Sequence, residues 1–287
     1  MRPFIISTDT TADLPAEFAA EHGISIHPLH YLIDDKEYGM EMGELSPHDF
    51  YQTMRDGKMP TTNATNLGYD IKLMEELVQE GNDILHISFS SQMSTSYNNA
   101  RLAAEEVMGR HPECRILVYD SKNATCGLSA LIRTLVKKKE SGCTLDEAAK
   151  WLEETLPRAV CYFTLPDLFH MWRGGRLKKS SAVLGTALKI QPVLHISDIG
   201  ALEPIKKVRG RAAAVKGLYA DLAEQCAAGK KPEIVCITHG DCPEEAEALA
   251  KAVKETLGIS EVYISYLSPT LGSHSGPSTL TLGYISQ

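Results

Sequence analysis

"DILHISFSSQMSTSYNNARLAAEEVMGRHPECRILVYDS" (residues 83–121) decides the fold class. "DILHISFS" (83–90) is a short apolar, β-prone run of the length of one buried strand. "TSYNNARLAAEEVMGRHP" (95–112) reads as a helix and "CRILVYDS" (114–121) as a second strand. Strand, helix, strand is the unit that joins parallel strands by a crossover.

The alternation continues outward in both directions. Upstream, "FIIST" (4–8) reads as a buried strand, and "TADLPAEFAAEHG" (11–23) as a helix with Asp13 as its N-cap and Gly23 at its end. "ISIHPLHYLID" (24–34) is strand-like, and "SPHDFYQTMRDGK" (46–58) has the Ser-Pro start of a helix. "NLGYDIKLMEELVQEG" (66–81) is helical. Downstream, "GLSALIRTLVKKKESG" (127–142) is a helix, and "TLDEAAKWLEETL" (144–156) opens with Thr144 and Glu147 spaced as a capping box. The pattern predicts a mainly parallel sheet with helices on both faces.

After residue 160 the order changes. "QPVLHISDIGALEPIKKVRG" (191–210) reads as two strands about a turn at Asp198–Gly200. "RAAAVKGLYADLAEQCAAGK" (211–230) reads as one long helix, "EIVCITHGD" as a strand and "PEEAEALAKAVKETLG" as a helix. Near the end, "LGSHSGPSTL" (271–280) reads as a hydroxyl-rich turn between two strands, carrying the single histidine His274. We therefore expect two α/β domains, 1–160 and 161–287, the second with a β-hairpin.

Composition narrows the function classes. The 287 residues are 43% apolar and 23% charged, as in a soluble globular protein. No apolar run reaches the ~18 residues of a membrane helix, and the first residues lack a signal-peptide profile. Seven cysteines without CxxC pairs fit reduced thiols in a cytoplasm, not a disulfide frame or zinc site. The net charge of −8 disfavours general nucleic-acid binding. Yet between Arg173 and Lys216 ten Lys/Arg face two acids, Asp198 and Glu203, which predicts a basic docking face.

The chemistry lies in four polar clusters: "STDTTADLP" (7–15), "PTTNATN" (60–66), "SFSSQMSTSY" (88–97) and "DSKNATCG" (120–127). Three fall at the carboxyl ends of predicted strands, where open α/β sheets bind ligands. Hydroxyls and backbone N–H groups together make an anion cradle. No P-loop, HExxH or carboxylate-rich metal loop is present, and "GGR" (174–176) is too short for a dinucleotide fingerprint, so neither cofactor nor metal is expected. Asp9, Ser94 and His274 are the material for a hydrolase triad, although GxSxG is absent.

Eight blocks, taken together, resemble the DegV family. "IISTDTTADLP" resembles its "TDSTADLP" opening, "PTTNATN" its Thr-Ser-Gln-Pro segment, and "SSQMSTSYNNA" its "SSxLSGTYxSA". "VYDSKNATCGLSAL", "LPDLFHMWRGGRL", "ALKIQPVLHISDIGALEPIKKVRGR", "THGDCPEEAEAL" and "LGSHSGPSTL" follow in order. The resemblance implies a carrier of a long-chain fatty acid (C14–C18), its acyl chain buried in a pocket between two α/β domains. It also implies a partner, a dihydroxyacetone-kinase-like fatty acid kinase that phosphorylates the presented carboxylate. By position, the family's head-group ligands fall on Thr62, Ser94 and His274, with Thr61, Asn63 and Thr95 nearby. Its docking arginine falls on Arg209, flanked by Lys207 and Arg211; transient membrane contact is the rival role for this face. Asn63, Ala64 and Thr65 depart from the Thr-Ser-Gln-Pro pattern, and Thr95 replaces a glycine. Two other readings stay open: a hydrolase or acyltransferase using Ser94 and His274, and a binder of another small anion.

Overall fold

The computed structural model describes residues 2–39, 44–166, 168–177 and 190–287. Asp167 of the "LPDLFHMWRGGRL" block and Lys178, Lys179 and Lys189 of the basic segment lie outside the described residues. The first half carries strands β1 (Phe4–Asp9), β2 (Ser25–His27), β3 (Tyr31–Ile33), β4 (Lys36–Tyr38), β5 (Thr61–Thr62), β6 (Asp83–Ser88) and β7 (Ile116–Asp120). The second half carries β8 (Ala159–Thr164), β9 (Ile190–Ile196), β10 (Leu202–Arg209), β11 (Ile234–His239), β12 (Glu261–Tyr266) and β13 (Leu280–Ile285).

The protein is α/β. Strands β2-β1-β6-β7 form an all-parallel sheet, as the alternating pattern predicts. All six residues of β6 are buried, the signature of a parallel strand covered on both faces. Leu85 and Ile87 pack with Ile6, Leu128 and Leu152 on one face. Ile84 and Ile116 pack with Met74, Ala103 and Val107 on the other. The helices Leu67–Gln79 and Ser96–Arg110 thus cover one side, and Thr125–Glu140 and Leu145–Thr155 the other. The Thr144–Glu147 capping box forms.

A second sheet has the order β10-β9-β8-β13-β11-β12, antiparallel except for the β11–β12 pair. The helix Thr125–Glu140 also packs against β8, β11 and β13 of this sheet. Its residues from Thr125 to Val136 are therefore buried on nearly all sides, as in a helix between two sheets. A small antiparallel sheet, β4-β3-β5, lies apart. No helix among the described residues is long and apolar enough to cross a membrane.

Four expectations need correction. The segment 211–230 forms two helices, Arg211–Leu218 and Ala220–Ala227, broken at Tyr219. "ISIHPLHYLID" is split around Pro28, and its halves β2 and β3 join different sheets. Asp13 caps no helix start: it is left-handed at φ 51, and the helix Ala16–Glu21 has Pro15 at its N-cap. "LGSHSGPSTL" is not a plain turn, because His274 sits in the last turn of the helix Pro269–Ser275. β8 adds a strand where none was expected.

Candidate functional site

Thr62 comes to the site on β5. That strand pairs with β3, so that Thr62 lies opposite Tyr31 and Thr61 opposite Leu32. Side chains alternate along a strand, which leaves Thr61 exposed while Thr62 is half-buried. The next turns are tied down too. Asn63 N–H donates to the His30 carbonyl at 3.0 Å, and Asn99 Nδ2 donates to the Thr65 carbonyl at 2.7 Å.

Ser94 lies on the turn that leaves the carboxyl end of β6. Its hydroxyl accepts from the Ser96 N–H at 3.2 Å and bonds to the Ser96 hydroxyl at 2.8 Å. It therefore stands just ahead of the helix Ser96–Arg110, whose N-terminal N–H groups favour an anion. Thr95 has φ −82, so the family's glycine is not needed there for backbone reasons.

His274 arrives from the other half of the chain. The Ser268 N–H at the head of its helix donates to Asp13 Oδ1 at 2.9 Å, and Tyr51 Oη donates to the Leu267 carbonyl at 2.9 Å. These contacts bring His274 Nε2 to 2.7 Å from Thr62 Oγ1. Burial, with the Arg176 and Arg173 charges adding, pulls the His274 ring down to about 3. The imidazole is thus neutral near pH 7 and carries one N–H. With the proton on Nε2 it donates to Thr62 Oγ1, and the Thr62 hydroxyl proton is free for a ligand oxygen. His274 Nδ1 is buried without a hydrogen-bond partner.

Thr62, Asn63, Ser94, Thr95 and His274 line one cavity of about 420 Å³. Apolar side chains make much of the rest, including Phe89, Met93, Phe163, Met171, Leu202 and Leu271. The walls come from both sides of residue 160. Such a space takes an apolar body with one polar end.

The arrangement does not assemble the Asp9–Ser94–His274 triad. Asp9 is buried and accepts from the Thr11 N–H and hydroxyl and from the Phe89 N–H. Among the described residues, no hydrogen bond joins Ser94 to His274 or a carboxylate to His274. No group of three or more metal-ligating side chains stands together among them either.

Two arginines were missed from sequence. Arg176 lines the cavity, donating from Nε to the Met93 carbonyl at 3.1 Å and from Nη1 to the Gly174 carbonyl at 2.7 Å. Arg173 Nη2 donates to the Pro60 carbonyl at 2.9 Å and the Ser273 carbonyl at 3.3 Å, bridging the segments that carry Thr62 and His274. The cradle is therefore not built of neutral groups alone. The signal is the "RGGR" run (173–176), which the sequence reading places in the basic segment and in a family block but not in the site.

The residues expected to dock a partner, Lys207, Arg209 and Arg211, lie on or after the hairpin β9–β10. Lys207 and Arg209 are exposed on the edge strand β10. Arg211 is engaged elsewhere, in a 2.6 Å ion pair with Glu245 and a 2.6 Å hydrogen bond to the Ser278 carbonyl.

Residues 3–287 match the model of the DegV family, described as an uncharacterised protein family. The chain is 34% identical to a DegV domain-containing protein of Clostridium perfringens, covering 99% of this chain and 98% of that one. It is similar to two solved structures over 100% of both chains. One is DegV of Bacillus subtilis, a fatty acid binding protein, at 27% identity and a TM-score of 0.88. The other is a fatty-acid-binding DegV family protein of Thermus thermophilus, at 26% identity and a TM-score of 0.89.

Proposed function

The chain belongs to the DegV family, and we propose that it carries a long-chain fatty acid, C14–C18, with the tail in the 420 Å³ cavity. The carboxylate meets Thr62 and Ser94, and His274 sets the hydroxyl of Thr62. The observation that carries this reading is the pairing of a largely apolar cavity with the Thr62–His274 contact at its wall. Solved relatives described as fatty-acid-binding support it.

The energetics favour the tail as the source of affinity. A sixteen-carbon chain offers roughly 12 kcal/mol of transfer free energy at ~0.8 kcal/mol per CH₂. Association and chain ordering take back several kcal/mol. The hydroxyls then orient the head group, while the Arg176 guanidinium at the cavity wall, already donating to the Met93 and Gly174 carbonyls, adds a positive charge that favours the ionised carboxylate. That suits a carrier that presents its cargo to a separate dihydroxyacetone-kinase-like kinase for acyl-phosphate formation. Lys207 and Arg209, exposed on β10, form the face for that partner, while Arg211 braces the hairpin through Glu245.

Lipid extracted from purified protein and identified by mass spectrometry tests the reading. A C14–C18 fatty acid in near-stoichiometric amount is expected. Protein that releases no lipid, and binds none when offered, would overturn it.

A further inference from the structure

The pair Gly174–Gly175 follows the short helix Phe169–Arg173, and its two glycines answer different constraints. Gly175 has φ +73, a left-handed backbone that favours glycine, and a Cβ there would meet nothing within 4 Å. Gly174 is the reverse. Its backbone is right-handed helical, φ −73 and ψ −2, which any residue adopts. What forbids a side chain is space: a Cβ on Gly174 would overlap His274 Nδ1 and stand 3.0 Å from His274 Cε1. The same two helices meet in a reciprocal contact, since a Cβ on Gly276 would stand 2.6 Å from His170 Cδ2.

The His274 ring is therefore fixed on two edges. Thr62 Oγ1 holds Nε2 at 2.7 Å, and the bare backbone of Gly174 lies against Nδ1, which has no hydrogen-bond partner. A ring is rigid, so it yields to a methyl group at 174 only by turning about its side-chain bonds. Turning moves Nε2 away from Thr62. We propose that Gly174 is a positioning residue for the head-group site, holding His274 in register with Thr62 by the absence of a side chain. The inference rests on the fatty-acid reading above and concerns carboxylate recognition, not the tail.

Gly174→Ala tests it, with affinities measured for palmitic acid and for hexadecanol, which shares the tail but lacks the carboxylate. The variant is expected to lose roughly ten-fold or more in affinity for the acid, because a Thr62 hydroxyl no longer set by His274 fails to hold its bond to the carboxylate, and little for the alcohol. In a His274→Ala background the same substitution is expected to add nothing, because its effect runs through the ring. Unchanged acid affinity would overturn the proposal. So would equal loss for acid and alcohol, or a full loss that persists without His274. Should Gly174→Ala alone fail to fold, the double variant decides: recovery of the fold when His274 is Ala supports the clash, and continued failure refutes it. Wild-type protein that binds neither ligand would instead sink the fatty-acid reading itself.

Discussion

Thr62→Val probes the head-group site most directly. Valine keeps the branched Cβ that suits β5 and removes only the hydroxyl. Without ligand, the change leaves His274 Nε2 without its 2.7 Å partner in a ring whose Nδ1 already lacks one. A buried polar group so stranded costs about 1–3 kcal/mol of stability. With ligand, it removes one hydrogen bond to a carboxylate, worth about 1.5–3 kcal/mol, or roughly ten- to hundred-fold in affinity. For a fatty alcohol the lost bond is neutral and worth only about 0.5–1.5 kcal/mol. On the fatty-acid reading the tail would lie against Phe163, Met171 and Leu202 of the cavity wall, which the substitution does not touch. The gain per added CH₂ should thus stay at its wild-type value. Titration calorimetry with C14, C16 and C18 acids and the C16 alcohol measures both quantities. Equal losses for acid and alcohol, or a changed gain per CH₂, would refute the assignment of Thr62 to the head group.

Two further outcomes follow from charge and burial. Arg209→Ala should leave fatty-acid affinity intact and slow acyl-phosphate formation by a dihydroxyacetone-kinase-like partner, most at low salt, where exposed charges act furthest; a normal rate at low salt would remove Arg209 from the interface. Asp13→Asn should stabilise the fold increasingly as pH rises. Burial lifts the Asp13 carboxyl to about 7 from its ordinary 3.8, so the native state keeps a proton that the unfolded chain releases, and wild-type stability declines between those pH values. The difference grows by about 1.4 kcal/mol per pH unit across that window. Urea denaturation of both proteins at pH 4 and pH 8 checks it, and a pH-independent difference would contradict the buried-acid account. The His274 ring, pulled down, pushes stability the opposite way below its ordinary 6.5, but equally in both proteins.

The parallel sheet was legible because local signals agree with the fold. β1, β6 and β7 are apolar runs with a helix after each, and the hairpin turn at Asp198–Gly200 lies between two β-prone runs. The helix Pro269–Ser275 was not legible, because its glycines and serines are turn formers. It is held by tertiary contacts that leave no local mark: Asp13 on the Ser268 N–H and Tyr51 on the Leu267 carbonyl. Asp13 misled for the same reason, since the N–H its carboxylate accepts from, that of Ser268, lies 255 residues away and not in the next turn. That Thr62, Ser94 and His274 line one cavity was legible only through the family's motifs; their hydroxyl and imidazole chemistry is common to many turns. Arg173 and Arg176 were hidden because their roles depend on carbonyls of Pro60, Ser273 and Met93, which no side-chain pattern announces.

The site exists only where the two halves of the chain meet. Thr62 and His274 are 212 residues apart in sequence, and neither half brings both. The junction is closed by a few directional contacts: Asp13 to Ser268, Arg173 to Pro60 and Ser273, and the Ser90 hydroxyl to the Gly200 carbonyl at the hairpin tip, at 2.8 Å. On the fatty-acid reading, an acyl chain in the cavity would touch walls from both sides and add to the contacts that hold them together. A ligand bound only to the folded form stabilises it by about 2.7 kcal/mol at a hundred times its dissociation constant. That exceeds what any one of these hydrogen bonds contributes, typically about 1 kcal/mol. Cargo and closure therefore reinforce each other. On the fatty-acid reading, a change that parts His274 from Thr62 at this junction would weaken the hold on the carboxylate, so that holding the tail and presenting the head group depend on the same interface.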